Sequence, residues 1–224
     1  MIIITGITAA WREVKAIVIG LISLILVGLL SRQRWLVALA TTLLSGVFYF
    51  FRDPERTPPF SPPESGGDRG GYNDYLLSPA DGRITSIQTV TEPHFMGGEC
   101  QRITIFLSLF DVHVQRAPYQ GVVKLLRYQS GSFAPAFLSQ ADDNEANLIG
   151  IETPRGPLAV KQMTGILARR IVCWVEPEQP VTLGQHLGLI KFGSRVDLFL
   201  PLTSHINVQI GQQVHGGQTI MARW

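Results

Sequence analysis

The chain has 224 residues, of which 46% are hydrophobic, and its formal net charge is only +2. Without a dense basic run, this charge disfavours a nucleic-acid partner. The two cysteines are too few for a disulfide framework, so we expect free thiols and a reducing compartment, with Cys173 buried in the apolar run IVCWV.

Two uncharged apolar runs lie near the N-terminus, residues 16–30 (AIVIGLISLILVGLL) and 35–51 (WLVALATTLLSGVFYFF). Each is slightly shorter than the roughly 20 residues of a membrane span, but flanking side chains can snorkel to the interface. The four-residue break SRQR predicts a tight helical hairpin over residues 1–52, with both ends on the same side of a membrane. A re-entrant hairpin and a pair of buried helices in a soluble core are the alternatives.

The distribution of positive charge favours cytoplasmic ends for this hairpin. Four basic residues flank the two runs and two lie in the turn, respectively Arg12, Lys15, Arg52 and Arg56, and Arg32 and Arg34. No cleavage site of small residues follows the first run, which disfavours a signal peptide.

A linker follows, and then a body that is predicted to be mainly β. Residues 53–75 hold five prolines and four glycines. Residues 76–224 contain short strand-like runs separated by turn residues, in the order GRITSIQTV, QRITIFLSL, GVVKLLRYQ, LIGIET, LAVKQMTG, RRIVCWVE, VDLFLP and INVQI, with ETPRGPL as a hairpin turn. This pattern indicates a compact barrel or sandwich.

A weak internal repeat relates residues 181–190 (VTLGQHLGLI) to 208–220 (VQIGQQVHGGQTI). Paired Gly-x-x-Gly turns between short strands resemble the β-hybrid architecture of biotinyl and lipoyl carrier domains. No lysine is presented as in those carriers, so the resemblance concerns architecture alone.

Three positions can carry chemistry, although each also has an ordinary structural interpretation. Asp81 lies in SPADGRI, a normal turn sequence. His113 lies in FLSLFDVHVQRAP, where an apolar strand ends among polar groups. Ser194 follows Gly193 in KFGSRVDLFLP, as either a simple bend or a hydroxyl able to attack the preceding carbonyl. The other histidines, His94, His186, His205 and His215, lie among turn and loop residues, and none has the spacing of a zinc site.

Together, five motifs resemble the phosphatidylserine decarboxylase family in its short, membrane-associated (archaeal-type) proenzyme form. In chain order they are FFRDPERTPP, SPADGRI, FLSLFDVHVQRAP, GILARRIVCWV and GLIKFGSRVDLFLP, followed by the glycine-rich tail. The resemblance covers nearly the whole chain. Phe-Gly-Ser at 192–194 corresponds to the Leu-Gly-Ser-Thr or Gly-Gly-Ser-Thr of longer members.

The resemblance implies that the chain cuts itself between Gly193 and Ser194. The Ser194 hydroxyl would attack the Gly193 carbonyl, and elimination of the resulting ester would leave a covalent pyruvoyl group at residue 194. The products would be a β chain of residues 1–193 and an α chain of 194–224, which stay together. Decarboxylation of phosphatidylserine to phosphatidylethanolamine and CO₂ would then need neither a metal nor pyridoxal phosphate.

The resemblance also implies roles for individual side chains. His113 would be the base for Ser194, with Asp81 orienting it. Longer members carry a second histidine where this chain has Arg116, so either His113 acts in both self-cleavage and protonation, or water or Arg116 assists. Arg116, Arg195 and Lys161 are candidates for binding the lipid phosphate.

The implied partners are phosphatidylserine in a bilayer and the two chains of the same precursor, with a homo-oligomer as an open possibility and no nucleic acid. The implied location is the cell membrane, with the body on the cytoplasmic side. Two alternatives remain at this point: a non-enzymatic, membrane-anchored β-hybrid adaptor, and a pyruvoyl decarboxylase that acts on a related serine head-group lipid.

Overall fold

The structure is a computed structural model that describes residues 10–59, 74–134, 142–165, 170–191 and 194–224. The chain forms two compact units, one extending to Glu55 and the other starting at Arg56. Much of the predicted linker, residues 60–73, lies outside the described residues.

The N-terminal unit is a pair of packed helices, α1 (Trp11–Leu30) and α2 (Arg34–Phe50). Arg32 in the turn between them adopts a left-handed conformation with φ of 56°. Gly28 lets the helices approach closely, because a Cβ there would lie 2.8 Å from Val37 Cγ2. The predicted hydrophobic helical hairpin is therefore confirmed.

The hairpin exposes large apolar side chains along both helices, among them Ile19 (59% exposed), Leu30 (87%) and Trp35 (65%). The segment Glu13–Leu30 is long and apolar enough to cross a membrane, with a mean hydropathy of 2.4, whereas α2 is a shorter apolar helix. Exposed apolar surface of this kind is typical of a membrane or protein contact.

The second unit is built from strands, as predicted. In chain order they are β1 (Tyr75–Leu77), β2 (Gly82–Glu92), β3 (Gly98–Leu107), β4 (Val114–Arg116), β5 (Gly121–Gln129), β6 (Ala146–Thr153), β7 (Gly156–Met163), β8 (Arg170–Cys173), β9 (Pro180–Val181), β10 (His186–Lys191), β11 (Ser194–Leu200), β12 (His205–Ile206), β13 (Gln213–Val214) and β14 (Ile220–Arg223). An eight-stranded sheet has the order β13-β2-β3-β11-β7-β6-β5-β9. Two three-stranded sheets have the orders β1-β14-β12 and β4-β10-β8.

The eight-stranded sheet buries its two faces unequally. Alternate residues such as Ile103, Ile105, Val196 and Leu198 belong to the main hydrophobic core. Their sequence neighbours point to the opposite face, where a small apolar cluster contains Cys100, Leu148, Ala159 and Phe199. The period-2 pattern of VDLFLP therefore alternates between the main core and the small cluster on the opposite face, and both sets of side chains are buried in this central strand.

Several local predictions are refined by the structure. The ETPRGPL turn closes the β6–β7 hairpin, with Thr153 paired to Gly156. INVQI contributes only its first residue to a strand, because β12 ends at Ile206. His186 and His205 begin strands rather than lying in loops. Cys100 is the fully buried free thiol and Cys173 is half-buried, so the expectation of a buried Cys173 is wrong.

The turn after β2 is organised by one buried carboxylate, Glu92. Its oxygens accept backbone N–H bonds from His94, Phe95 and Met96 at 2.8–3.0 Å. Burial acts to raise the pKa of Glu92, but these three bonds outweigh it and hold the pKa below 4.5.

We expect Glu92→Gln to lower the free energy of unfolding at neutral pH, since charged hydrogen bonds of this kind are worth about 1.5–3 kcal/mol each. Because the folded-state pKa lies below the unfolded value of 4.5, this stabilisation is complete above pH 4.5 and is lost as the pH falls through the folded pKa. Urea unfolding of both proteins at several pH values measures the effect. A difference that grew as the pH fell below 4.5 would contradict this assignment.

Candidate functional site

The predicted catalytic positions lie at the ends of three adjacent strands of the large sheet, and we call this line of strand ends the sheet edge. β2 begins directly after Asp81, β3 ends at Leu107 and leads to His113, and β11 begins at Ser194. The strands are neighbours in the order β2-β3-β11, and Ser194 pairs with Leu107. Since neighbouring strands lie about 4.8 Å apart, the three strand ends span about 10 Å.

Asp81 is 6% exposed and has several polar contacts. The Arg56 guanidinium donates to Oδ2 at 2.7 Å, and the Gly216 N–H donates to Oδ1 at 2.8 Å. His215 Nδ1 lies 3.4 Å from Oδ2. A Cβ at Gly216 would lie 3.2 Å from the Ala80 carbonyl carbon, so a side chain there would be crowded. The bonds from Arg56 and Gly216 fix the carboxylate at the sheet edge.

His113 is fully buried just before β4. Its Nδ1 lies 2.9 Å from the Asp111 carbonyl oxygen. A carbonyl oxygen only accepts hydrogen bonds, so Nδ1 carries the proton and Nε2 holds the lone pair in the neutral ring. This tautomer makes Nε2 the atom that can act as a base.

The described residues on both sides of the predicted cleavage junction are bonded to the segment that carries His113. The Ile190 N–H donates to the His113 carbonyl oxygen at 3.2 Å, and four residues later Ser194 pairs with Leu107. Phe192 and Gly193 lie outside the described residues. Lys191 and Ser194, which flank them, can be at most about 11 Å apart, because three residues of extended chain reach no further. On one side of the junction, β10 belongs to a small sheet and is bonded to His113, and on the other side β11 belongs to the large sheet and pairs with Leu107.

A chain of buried amides supports the backbone of His113. Asn147 Nδ2 donates to Gln162 Oε1 at 3.0 Å, Gln162 Nε2 donates to Gln115 Oε1 at 2.8 Å, and Gln115 Nε2 donates to the His113 carbonyl oxygen at 2.7 Å. All three amide side chains are at most 5% exposed. Satisfied networks of this kind rigidify a site, since breaking one link leaves a buried polar group without a partner.

Arg116 is brought to the Asp81 side of the site. Its backbone N–H donates to the Pro79 carbonyl oxygen at 2.9 Å, two residues before Asp81. Its guanidinium donates to the Gly184 carbonyl oxygen at 3.3 Å. A Cβ added at Gly217 would lie 3.1 Å from Arg116 Cδ and 3.7 Å from Arg56 Cβ, so both arginines flank this glycine.

Arg195 and Lys161 lie elsewhere, on the face of the large sheet opposite the main core. Lys161 lines a cavity of about 240 Å³ with Arg102, Arg127 and Asp197. The Arg195 guanidinium forms two 2.8 Å bonds to Asp197 and a third to Asp142. Although burial acts to lower the pKa of Arg195, its hydrogen bonds to Asp197 raise that pKa overall. Both cations therefore lie on the face opposite the main core, although Arg195 directly follows Ser194 at the start of β11.

Comparison with known proteins identifies the family. A sequence model described as phosphatidylserine decarboxylase matches residues 43–222. The chain belongs to the phosphatidylserine decarboxylase family. It is 43% identical over 191 residues to a phosphatidylserine decarboxylase proenzyme of Carboxydothermus hydrogenoformans, covering 84% of each chain. It is 40% identical over 193 residues to that of Chlorobium chlorochromatii (86% of this chain, 85% of the relative). For the Desulfotalea psychrophila proenzyme, identity is 42% over 191 residues (84% and 82%).

Phosphatidylserine decarboxylases are pyruvoyl-dependent carboxy-lyases that form the pyruvoyl group from a serine of their own chain. The present structure fits such a group at the start of β11. That strand pairs with β3 on one side and β7 on the other, so a new chain end at its first residue would be held in place. The group supplies an electrophilic carbonyl that accepts the electrons left by CO₂.

We expect Arg195→Leu to destabilise the decarboxylase by about 3–5 kcal/mol, because Asp197 is only 1% exposed and would lose its bidentate partner. The double variant Arg195→Leu/Asp197→Leu should recover much of this loss, since it removes both buried charges. Urea unfolding measures both effects. A stable Arg195→Leu enzyme with a raised KM for phosphatidylserine would instead assign Arg195 to the lipid phosphate.

Proposed function

We propose that Ser194 is the serine that becomes the pyruvoyl group, by cleavage of the Gly193–Ser194 bond, and that the two-chain enzyme converts phosphatidylserine to phosphatidylethanolamine and CO₂. The anchoring of the junction carries this proposal. Ile190 is bonded to His113 and Ser194 pairs with Leu107, at opposite ends of the 107–113 segment. This supports assigning His113 to the Gly193–Ser194 bond.

His113 is the base for self-cleavage in this proposal. Its Nε2 takes the Ser194 hydroxyl proton as that oxygen attacks the Gly193 carbonyl, and returns it to the amide nitrogen as the C–N bond breaks. In the elimination that follows, a base removes the Cα proton of Ser194 and the Gly193 carboxylate leaves, which gives a dehydroalanine at position 194. This enamine tautomerises to an imine, and water hydrolyses the imine to the pyruvoyl carbonyl with release of ammonia. Uptake of the Ser194 proton starts from the neutral tautomer that the Asp111 carbonyl favours, and its return starts from the protonated ring.

Asp81 is the proposed electrostatic partner of the base, at the next strand end along the edge. Arg56 and Gly216 hold its carboxylate in place through bonds of 2.7 and 2.8 Å. A fixed negative charge at this position favours the positive imidazolium that His113 becomes when it accepts a proton.

Among the predicted phosphate ligands, Arg116 has the position that supports the role best. It is 9% exposed and lies on the Asp81 side of the site, whereas Arg195 is engaged by Asp197 and Asp142. A guanidinium is suited to a lipid phosphate because its donors match the oxygen geometry. For Lys161 and Arg195, on the opposite face, phosphate binding stays a prediction.

The proposed location is the cell membrane, with the β unit on the cytoplasmic side. The apolar helix Glu13–Leu30 supports membrane anchoring, and the excess of basic residues outside the hairpin turn supports the orientation. We also place the chain in the short subfamily, since the matched relatives are covered over 82–85% of their own length. A homo-oligomer stays a prediction.

The direct test is CO₂ release from vesicles that contain phosphatidylserine. Processed wild-type enzyme is expected to release CO₂ and form phosphatidylethanolamine, and Ser194→Ala is not. Free serine and vesicles of a serine-containing ether lipid, supplied in parallel, distinguish the related head-group activity. A cleaved enzyme that releases CO₂ only from free serine would contradict the lipid substrate, and a chain that neither cleaves nor releases CO₂ would favour the adaptor function.

A further inference from the structure

His215 follows the end of β13, a fourth strand beside the three whose ends carry Asp81, the His113 segment and Ser194. β13 ends at Val214 and pairs with β2, where Val214 lies opposite Gly82. The sheet order β13-β2-β3-β11 therefore places His215, Asp81, the His113 segment and Ser194 in sequence along one edge. His215 is the outermost of the four.

The two histidines of this edge differ in their access to solvent. The His215 side chain is 54% exposed and its Nδ1 faces Asp81 Oδ2 at 3.4 Å. His113 is fully buried. The segments of the two histidines are also tied together, because Gln213 Nε2 donates to Asp111 Oδ1 at 3.1 Å and the Asp111 carbonyl accepts from His113.

Two charged groups, Arg56 and Arg116, lie beside the His215–Asp81 pair. Arg56 binds the Asp81 oxygen that faces His215, at 2.7 Å. Arg116 approaches from β4 across Gly217. The Arg56 guanidinium and the Gly216 N–H bind Asp81, so its carboxylate is held in a fixed position beside His215.

We propose that His215 is the solvent-side end of a proton relay that runs through Asp81 to His113. A proton from water binds His215 Nε2, the proton on Nδ1 moves to Asp81 Oδ2, and Asp81 passes a proton inward to His113. This role rests on the proposed function, and it is distinct from the base role of His113.

The overall decarboxylation requires a supply of protons from solvent. Replacing a carboxylate by hydrogen and releasing CO₂ consumes one proton from solvent in every turnover. A fully buried imidazole exchanges protons with water only through a carrier, and an exposed histidine bonded to a carboxylate is a suitable one. Self-cleavage differs, because each proton removed from Ser194 can be returned within the site. The relay therefore matters for turnover rather than for processing.

The test compares His215→Ala with His205→Ala, an exposed histidine at the start of β12. Mass spectrometry follows self-cleavage of the newly made chains, and CO₂ release from phosphatidylserine vesicles measures turnover of the processed enzymes. We expect His215→Ala to cleave at the wild-type rate but to turn over at least about tenfold more slowly. Added imidazole should restore turnover, since the vacated site is open to solvent. His205→Ala should match wild type in both assays.

Two results would overturn the relay. The first is wild-type turnover in His215→Ala. The second is an equal loss of cleavage and turnover that imidazole does not restore, which would show that His215 only positions Asp81. Failure of wild type itself to cleave at Gly193–Ser194 would instead contradict the proposed function, so the two failures are distinguishable.

Discussion

Ser194→Ala is expected to remain a single chain of 24.7 kDa and to release no CO₂ from phosphatidylserine. The substitution removes the hydroxyl that attacks the Gly193 carbonyl and the oxygen through which the ester would be eliminated. Neither cleavage nor formation of the pyruvoyl group can then proceed. Denaturing mass spectrometry of the purified protein measures the first effect, and the vesicle assay measures the second.

Ser204→Ala provides the matched control in the same C-terminal segment. Ser204 is 5% exposed, and its Oγ has no hydrogen-bond partner among the described residues, so its removal should cost little. We expect this variant to cleave like wild type. A Ser194→Ala chain that still divided into two fragments would show that a different residue is the nucleophile.

His113→Gln is expected to slow self-cleavage by about 10²–10⁴-fold, the usual contribution of a general base. Glutamine keeps a polar side chain of similar size but cannot accept the Ser194 proton. A time course of fragment formation after synthesis measures the rate. Because His113 is fully buried, the control for misfolding is the melting temperature of the uncleaved chain.

The decisive comparison is with Ser194→Ala, which is also uncleaved but keeps His113. If both variants melt at the same temperature and only wild type cleaves, the loss in His113→Gln is chemical. Cleavage of a folded His113→Gln chain at the wild-type rate would remove His113 from the proposed mechanism.

The hydrophobic pattern and the turn residues of the sequence are sufficient to predict the architecture. Uncharged runs separated by SRQR predict the helical hairpin, and α1 and α2 occupy those runs. The short run GVVKLLRYQ, set off by turn residues, predicts β5 to the residue. These features depend on residues that are close in sequence, and a single amino-acid sequence is therefore enough to predict them.

The site depends on contacts between distant residues, which no local pattern contains. Asp81 and His215 are 134 positions apart, and their contact depends on β13 pairing with β2. His215 has the local sequence of a turn residue and nothing nearby marks it. The buried amides of Gln115 and Gln162, 47 positions apart, likewise resemble ordinary strand residues.

For Arg195, the local sequence predicts the orientation of the side chain but not its contacts. A basic residue beside a candidate nucleophile resembles a phosphate ligand, and the alternation of β11 predicts that it faces away from Val196. Only the structure shows that the opposite face is also covered there and that Asp197, two residues later, binds the guanidinium. The alternation of a strand predicts which face of the sheet a side chain occupies, but not which groups it contacts there.

Mass spectrometry of wild-type protein, purified without denaturant and then denatured, tests the central claim most directly. The account predicts two fragments, residues 1–193 and 194–224, that copurify because β11 and β13 pair with β3, β7 and β2 of the larger chain. The smaller fragment should begin with a pyruvoyl group and resist N-terminal sequencing. An intact 24.7 kDa chain, or cleavage at any other bond, would contradict it.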